Sequence, residues 1–333
     1  MGTLAGTSRG VFTIDGGEPS RVLESTPVRD LTVVNGRVFA GTEDGLFASD
    51  DQGATWRCVG LEGLQVWTVR PRPGDDDVLY AGTQPAHLFT STDGGDSWTE
   101  IESFSTSPEA AAWCIPLDPP LPGRARAIVI DEDDPQRMWV GVEVGGVMRT
   151  EDGGESWHLD LPGENPDIHM MRPHPDEPNV LFASTGYGRP DHIAEEIEGN
   201  AGVFRSDDHG HTWEYRWKGI VPRYSRPMCI DRREPYALTV ASAPTAFSSR
   251  HDDDGAQAML FRSEDQGVTW RSLCDDAHSP SAANFHGLTV DPNCVGGVLV
   301  GTDTGEVWKV TDDAEWTSVA AGLPTVLSLL VTA

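Results

Sequence analysis

The sequence predicts an all-β fold built from seven four-stranded units. Three observations predict it. An eight-residue motif recurs, an apolar strand recurs before each motif, and the chain ends on an extra strand that can complete the first unit, which lacks one. The chain has 333 residues, of which 38% are hydrophobic, including 11 Trp and 10 Phe. A core of this size excludes wholesale disorder, and no apolar run approaches the ~18 residues of a membrane span.

The motif S/T-x-D-x-G-x-S/T-W occurs five times, at residues 49–56, 91–98, 150–157, 206–213 and 263–270, which we call the repeat turns. Their aspartates are Asp51, Asp93, Asp152, Asp208 and Asp265, and their tryptophans are Trp56, Trp98, Trp157, Trp213 and Trp270. Successive tryptophans are 42, 59, 56 and 57 residues apart, which is typical of stacked repeat units. Aspartate can bond the backbone of a turn and glycine tolerates positive φ, so each motif predicts a hairpin between third and fourth strands. The tryptophan is then expected to pack between sheets.

The strands of each unit are predicted around these turns. Residues 66–71, 78–83, 88–90 and 98–101 make one unit, with an acidic turn between the first two strands. The second strand recurs seven times, at residues 3–7, 38–42, 79–83, 138–142, 181–185, 238–242 and 298–302. Two further turns are degenerate, at residues 13–17 and 311–316. Since the chain opens on a second strand, we expect its last strand, 326–332, to complete the first unit and leave no open sheet edge. One domain over residues 1–333 is therefore expected.

The repeat turns resemble the Asp-box, or BNR, repeat of sialidase-like β-propellers, which also include photosystem II assembly factors and sorting-receptor ectodomains. The resemblance implies a seven-bladed β-propeller of four-stranded blades with Asp-box hairpins, closed by the C-terminal strand joining the N-terminal blade. In that family the box is a structural hairpin far from the ligand site. The five aspartates and five tryptophans are therefore expected to be structural and not catalytic.

The charge of the chain excludes some partners. With 53 acidic and 24 basic residues the formal net charge is −29, which argues against nucleic acid and against an anionic membrane surface. Lys218 and Lys309 are the only lysines, and such an acidic, lysine-poor chain suits a high-salt cytoplasm, where salt screens self-repulsion. The alternative is an ordinary acidic protein. Because no signal peptide opens the chain, we expect it to be cytoplasmic.

The cysteines and the acidic runs suggest no metal. The five cysteines contain no CxxC pair, so buried reduced thiols are expected rather than a zinc or redox site. Acidic residues at 75–77, 131–134 and 252–254 lack the alternating spacing of a calcium loop, and we interpret them as solvated turns. The sequence therefore assigns no cofactor.

Strand order predicts where function lies. Long connections at 103–125, 186–201 and 243–257 all fall on the face opposite the repeat turns, where they either build a site or merely cap the ring. The starts of the innermost strands should surround the mouth of the central channel on this face, with Glu43, Glu143, Asp303, Asn284 and His87 close by. The predicted catalytic residues are Glu143, His169, Arg226 and His286. The predicted ligand-binding residues are Trp67, Trp113, Arg126, Tyr187, Arg189, His192, Tyr224 and His251.

Three functions stay open. The sialidase-like relatives imply a glycoside hydrolase or lyase that binds a small or glycan-like ligand and uses Glu143 with Glu195 or Glu196. The Arg-Ile-Pro signature of sialidases is absent, so a typical sialidase is not expected. The alternative is a non-catalytic scaffold or assembly-factor propeller that binds a protein partner. A third hypothesis is a metal held by His169, His286 and a loop histidine.

Overall fold

Seven antiparallel four-stranded sheets form the seven blades of a β-propeller in the computed structural model, which describes residues 2–187, 201–245 and 255–332. The chain begins with β1 (Thr3–Thr7), β2 (Gly10–Thr13) and β3 (Ser20–Leu23), and blade 2 follows with β4 (Val28–Val34), β5 (Arg37–Thr42), β6 (Gly45–Ser49) and β7 (Arg57–Gly60). Blade 3 contains β8 (Gln65–Arg72), β9 (Asp75–Gln84), β10 (Leu88–Ser91) and β11 (Thr99–Glu100). A connection with a short helix α1 (Glu102–Ser105), a 3-10 helix (Pro108–Ala112) and a small hairpin of β12 (Cys114–Ile115) and β13 (Leu121–Pro122) then leads to blade 4.

Blades 4 to 7 repeat the same strand order. Blade 4 contains β14 (Arg124–Ile130), β15 (Met138–Glu143), β16 (Gly146–Thr150) and β17 (His158–Asp160), and a 3-10 helix (Pro162–Glu164) follows it. Blade 5 contains β18 (Ile168–Pro173), β19 (Leu181–Thr185), β20 (Gly202–Ser206) and β21 (Glu214–Tyr215). Blade 6 contains β22 (Tyr224–Ile230), β23 (Leu238–Ala243), β24 (Met259–Ser263) and β25 (Arg271–Ser272). Blade 7 contains β26 (Phe285–Val290), β27 (Val298–Thr302), β28 (Val307–Val310) and β29 (Trp316–Ala320).

The last strand, β30 (Val326–Val331), closes the ring. It pairs antiparallel with β1, so that Leu4 lies opposite Leu330 and Ala5 opposite Leu329. It is therefore the innermost strand of blade 1, whose other strands come from the start of the chain. The predicted closure is confirmed, and so are all seven predicted second strands.

One local prediction is wrong in its bounds. Residues 75–77 were expected to form an acidic turn, but β9 already begins at Asp75 and pairs there with Arg72 of β8. These aspartates are exposed at the end of the strand, where water can solvate them while the backbone is extended. The turn itself is reduced to Pro73 and Gly74.

The repeat turns share one hydrogen-bond pattern. In the first, Asp51 Oδ1 accepts hydrogen bonds from the backbone N–H of Thr55 (2.8 Å) and the hydroxyl of Ser49 (2.7 Å), and Asp51 Oδ2 accepts one from Thr55 Oγ1 (2.7 Å). Asp93, Asp152, Asp208 and Asp265 bind the matching groups of their own turns. Each carboxylate thus accepts hydrogen bonds from the turn that contains it.

The tryptophans of the repeat turns pack between blades. Trp98 of blade 3, for example, packs in a cluster with Phe39 of blade 2 and Leu79 of its own blade. Trp157 packs in the cluster between blades 3 and 4, and Trp270 in the cluster between blades 5 and 6. The hydrophobic core is therefore a ring of clusters between neighbouring sheets.

Glycines in the second strands allow the blades to approach closely. A Cβ on Gly82 of β9 would lie 2.4 Å from the carbonyl oxygen of Ala125 on the next innermost strand. A Cβ on Gly301 of β27 would lie 2.3 Å from Cγ1 of Val326 on β30. Both distances are shorter than any van der Waals contact, so the recurrent glycine is explained by the packing of the next blade.

The helices of the structure are short. None within the described residues has the length and apolar character needed to cross a membrane. The α1 segment fills a gap between blades, because Phe104 is fully buried with ring centroids 4.7 Å from Trp113 and 5.1 Å from Trp157. Part of the long 103–125 connection is thus core and not surface loop.

Candidate functional site

The central channel opens into a cavity on the face opposite the repeat turns. The cavity has a volume of about 460 Å³ and lies where the innermost strands begin. It is lined by Ser8, Pro27, Arg29, Asp30, Trp67, Arg70, Arg124, Arg126, Glu143, His169, Met170, Arg226, Pro227, His286, Thr325 and Leu327. We call this cavity the channel mouth.

The channel mouth is positively charged in a strongly negative chain. Five arginines and two carboxylates line its described part, although the whole chain has a formal net charge of −29. Asp30 is bound by Arg70, whose Nη1 lies 2.7 Å from Asp30 Oδ2. Of the other four arginines, Arg29 is paired with Glu43, and Arg124 and Arg126 share Glu143. The described part of the mouth thus holds more arginines than carboxylates and favours anions, although the protein as a whole repels them.

Three of the arginines surround one indole ring. The guanidinium carbons of Arg29, Arg124 and Arg126 lie 4.6, 4.5 and 5.1 Å from the ring centroid of Trp67. Arg29 lies on β4, Trp67 on β8 and both other arginines on β14, so three neighbouring blades contribute to the cluster. Cation–π attraction to the indole offsets part of the repulsion between the three charges.

Glu143 is the carboxylate that these arginines share. Its Oε2 accepts hydrogen bonds from Arg124 Nη1 (3.0 Å) and Arg126 Nη1 (2.8 Å), and its side chain is buried at the end of β15. Burial opposes ionisation of Glu143, but the charges of Arg126 and Arg124 outweigh it and hold its pKa well below the usual range. Glu143 is therefore a fixed negative charge at neutral pH and not a proton donor. Arg29 is paired separately with Glu43.

A second polar group lies behind the mouth, around His169. The imidazole is fully buried, and its Nδ1 lies 2.6 Å from the carbonyl oxygen of Ser225, so Nδ1 must carry a hydrogen. Its Nε2 lies 3.2 Å from both Tyr224 Oη and Asp167 Oδ1. Burial raises the pKa of Tyr224, so this hydroxyl stays protonated and can donate to His169.

Three buried side chains of this region could be considered as metal ligands. One ligand atom each from Glu143, Asp167 and His169 lies within 4.8 Å of the others. His286 lines the same cavity but is not part of this group. The metal site hypothesised from the sequence had included His286 as a ligand. A divalent cation on Glu143 would lie beside the two guanidinium groups that already bind this carboxylate, which disfavours it electrostatically. The group is better suited to hydrogen bonding than to metal binding.

The structure brings together part of the predicted site. The residues that line the channel mouth are Trp67, Arg126, Glu143, His169, Arg226 and His286. Tyr224 and Tyr187 are buried just behind them in tilted ring contacts, with centroids 4.9 Å apart for Tyr224 and His169 and 5.6 Å apart for Tyr187 and Tyr224. Arg189, His192, His251, Glu195 and Glu196 lie outside the described residues.

Other predicted residues lie elsewhere. Trp113 is buried against Phe104 in the cluster between blades 3 and 4 and does not line the channel mouth. His87 bonds Glu100, with Nδ1 2.6 Å from Oε1, and Asp303 accepts a hydrogen bond from the backbone N–H of Asn284 (2.8 Å). These side chains thus make packing contacts and hydrogen bonds within the scaffold.

Sequence reasoning missed Arg29, Arg70, Arg124 and Asp167. A weak signal was available, because Arg29 and Arg126 occupy similar positions early in the innermost strands of blades 2 and 4. Arg124 precedes Arg126 by two residues, and both side chains reach Glu143 although a bulge between Ala125 and Ala127 interrupts the regular alternation of β14. Comparing these strands across the units could have found the arginines, but no contiguous motif marks them.

Relatives of the chain include enzymes and an assembly protein. No protein-family model matches it. A probable oligoxyloglucan-reducing end-specific xyloglucanase of Neosartorya fischeri is 23% identical over 308 residues, which covers 81% of this chain and 36% of the relative. The photosystem II assembly protein Ycf48 of Synechococcus sp. (strain JA-2-3B'a(2-13)) is 25% identical over 280 residues, which covers 64% of this chain and 78% of the relative. The chain thus spans about a third of the length of that xyloglucanase.

Solved structures of the same two kinds are similar in fold. The GH74 xyloglucanase from Xanthomonas campestris superposes with a TM-score of 0.70 at 18% identity, covering 98% of this chain and 52% of that structure. A structure of YCF48 bound to D1 peptide superposes with a TM-score of 0.53 at 17% identity, covering 87% of this chain and 80% of that one. At these identities the similarity supports the propeller fold and nothing finer.

Proposed function

We propose that this chain binds an anionic ligand, small or carbohydrate-like, at the channel mouth. The observation that carries the proposal is the cluster of Arg29, Arg124 and Arg126 around Trp67, two of which share the carboxylate of Glu143. Guanidinium groups bind carboxylate and phosphate through paired hydrogen bonds, which a neutral ligand cannot match. The indole would provide an apolar surface beside the charges.

Binding is a better supported role than hydrolysis for the described residues. A glycoside hydrolase of the usual kind needs one carboxylic acid that stays protonated and a second carboxylate. Glu143 is held ionised by two arginines, and Asp30 is paired with Arg70. Glu195 or Glu196 would have to supply the acid, and both lie outside the described residues. A glycan-like ligand remains supported by the xyloglucanase relatives.

A protein partner is the second candidate. One of the structures that resembles this chain is described as YCF48 bound to D1 peptide, so a propeller of this shape can take a peptide. A peptide with a free carboxyl end or acidic side chains would present the same anionic groups to the arginines. The two candidates therefore differ in the size of the ligand and not in the chemistry of its recognition.

The proposal extends to the scaffold of the protein and to its cellular environment. The repeat turns would be Asp boxes with a structural role, and residues 1–333 would form one domain. The net charge of −29 with two lysines supports a cytoplasm of high salt. If so, the melting temperature should rise steadily as KCl is raised to molar concentration, whereas an ordinary acidic protein would gain little beyond the screening range.

Calorimetric titration with charged and neutral sugars tests the proposal. We expect saturable binding of glucuronate and of inorganic phosphate but not of glucose, with Arg126→Gln weakening it at least about tenfold, because a charged hydrogen bond contributes about 1.5–3 kcal/mol. Arg57→Gln is the matched control, since Arg57 is an exposed arginine next to a repeat turn. Equal affinities in both variants, or no saturable binding of any anion, would refute the proposal. Release of reducing ends from xyloglucan oligosaccharides, abolished by Glu143→Gln, would instead identify a hydrolase.

A further inference from the structure

The channel mouth continues into a second cavity. This lower cavity has a volume of about 500 Å³ and shares Arg29, Met170, His286 and Leu327 with the mouth, among other residues. The two cavities are therefore consecutive parts of one passage along the propeller axis. Below the mouth the wall includes the apolar side chains Leu31, Ile128, Leu288 and Leu329.

One arginine of the lower cavity has no counter-ion of its own. Arg172 lines the cavity and donates a hydrogen bond to the carbonyl oxygen of Met171 (2.9 Å). No carboxylate in the described part of the chain lies within ion-pair distance of its guanidinium. Arg70, which lines the same cavity, is by contrast bound by Asp30 at 2.7 Å.

The surroundings of Arg172 oppose its charge. Burial, with a smaller contribution from the positive charge of Arg70, lowers the pKa of Arg172 to about 10. The group stays protonated at neutral pH and is partly exposed to the cavity. An anion reaching it would replace the lost water and the missing carboxylate.

The distance between the two cationic positions follows from the strand. Arg172 comes three residues after His169, a residue of the mouth, and an extended strand rises about 3.3 Å per residue. Because the strand bulges at His169, the two Cα atoms are separated along the strand by at most about 10 Å. Leu31, Ile128, Leu288 and Leu329 each follow a residue of the mouth by two positions on their own strand, and the ion pair of Asp30 and Arg70 lines the same passage. A ligand in the passage thus meets the arginines of the mouth, then these apolar side chains beside the ion pair, and then Arg172.

We propose that the channel takes a linear ligand with an anionic group at each end, one bound by the arginines around Trp67 and the other by Arg172. This inference rests on the proposed anion binding at the mouth and names the class of ligand. The apolar segment of the ligand packs against Ile128, Leu288 and Leu329. A monoanion leaves Arg172 without a counter-ion, and a compact dianion does not reach it.

Two sources share this chemistry. A free α,ω-dicarboxylate presents two carboxylates on an apolar chain, and an extended peptide presents its terminal carboxylate and one acidic side chain. A short acidic peptide is therefore titrated both with a free C-terminus and with an amidated one. Tight binding of the free-terminus peptide alone would identify a peptide as the source, and tight binding of the dicarboxylate would identify a small diacid. Either result supports the proposal.

Calorimetric titration of the full chain with dicarboxylates of increasing length, from malonate to sebacate, tests the proposal against monocarboxylates of equal length. We expect affinity to peak at one length, at least about tenfold above the matched monocarboxylate, since the second charged contact contributes about 1.5–3 kcal/mol. Arg172→Met should abolish the peak and leave acetate binding unchanged. Arg172→Lys, which keeps the charge, should restore part of it.

The outcomes separate this inference from the proposed function. If monocarboxylates bind at the mouth but affinity does not depend on length, or the peak survives in Arg172→Met, the linear dianion is refuted while anion binding stands. Two inorganic phosphate ions bound per chain, with no gain for any diacid, would also refute it. If no anion binds at all, the proposed function fails first. Melting temperatures of both variants close to that of the parent chain exclude misfolding as the cause.

Discussion

The two faces of the propeller stabilise negative charge in different ways. On one face five aspartates of the repeat turns, and on the other Glu143, are held with pKa values below the ordinary range for their side chains. The repeat-turn aspartates bind groups no more than four residues away. Glu143 is bound by two arginines 17 and 19 residues away on another strand.

The repeat turns show stabilisation by neutral donors. The hydroxyl of Thr55, its backbone N–H and the hydroxyl of Ser49 lower the pKa of Asp51 to about 2, although the side chain is exposed. Ser97 and Ser91 do the same for Asp93, whose pKa is also about 2. The aspartate of such a turn is stabilised by donors within the turn itself.

The channel mouth shows stabilisation by opposite charge. Glu143 is buried and would be strongly destabilised as a carboxylate without Arg124 and Arg126. Its ionisation therefore depends on two arginines of the neighbouring strand in blade 4. On the turn face each carboxylate is thus stabilised within its own turn, whereas the mouth is one network of charges open to an additional anion.

Glu143→Gln should have the largest effect on stability, and this effect should come only from the channel mouth. Removing one partner of a buried ion pair typically costs about 3–5 kcal/mol, and we expect the free energy of unfolding in urea to fall by about 3 kcal/mol. The two released arginines should then bind an added anion more tightly than in the parent chain. The gain in melting temperature on adding phosphate should accordingly be larger in the variant. An equal gain in both chains would mean that Glu143 and the ligand do not compete for the same arginines.

Asp152→Ala should destabilise the turn face and leave the mouth intact. Three hydrogen bonds from Thr150 and Ser156 are lost, and we expect about 1–2 kcal/mol in urea unfolding with unchanged anion affinity. Glu155→Ala is the matched control, because Glu155 is an exposed carboxylate in the same turn. If the two variants unfolded alike, the hydrogen bonds of the turn would not matter for stability.

Acid should destabilise the turn face. The lowered pKa values of Asp51 and Asp93 mean that their stabilising contribution is complete above about pH 4 and is lost as pH falls through about 2. Melting temperatures measured from pH 5 to pH 2 should fall in this window. The double variant Asp51→Asn and Asp93→Asn should start lower and fall less steeply. Parallel pH curves for the two proteins would show that these carboxylates do not control acid stability.

Trp67→Leu should have the smallest effect on stability. It removes the ring that three guanidinium groups surround, and each cation–π contact contributes about 0.5–1 kcal/mol. We expect a loss of anion affinity of several fold with a melting temperature within a few degrees of the parent. Trp67→Phe, which keeps an aromatic face, should lose less. Identical affinities for both variants would indicate that the indole does not position the arginines.

The fold was predictable because its signals are local and repeated. Each repeat turn specifies its own hairpin, and the second strands recur with a glycine that the neighbouring blade requires, as at Gly82 and Gly301. The missing first strand of the first unit predicted the closure by β30. The one wrong boundary, at Asp75, arose because charged residues at an exposed strand end look like a turn in sequence.

The site was predictable only in part, because its residues come from different blades and are brought together only when the blades pack. Strand order was enough to place Trp67, Arg126 and Glu143 at the mouth. It failed to place Trp113, since the 103–125 connection forms short helices and turns this indole towards Phe104. Arg172 carries no signal in sequence, because only the tertiary structure shows that no carboxylate of the described residues forms an ion pair with it.

Diffraction from crystals soaked in selenate would test the central claim most directly, since selenium locates an oxyanion through its anomalous scattering. We expect a strong peak at the channel mouth, next to Trp67 and within hydrogen-bond distance of Arg124 and Arg126. Arg126→Gln should remove this peak. Peaks found only at exposed arginines such as Arg57, with none at the mouth, would contradict it.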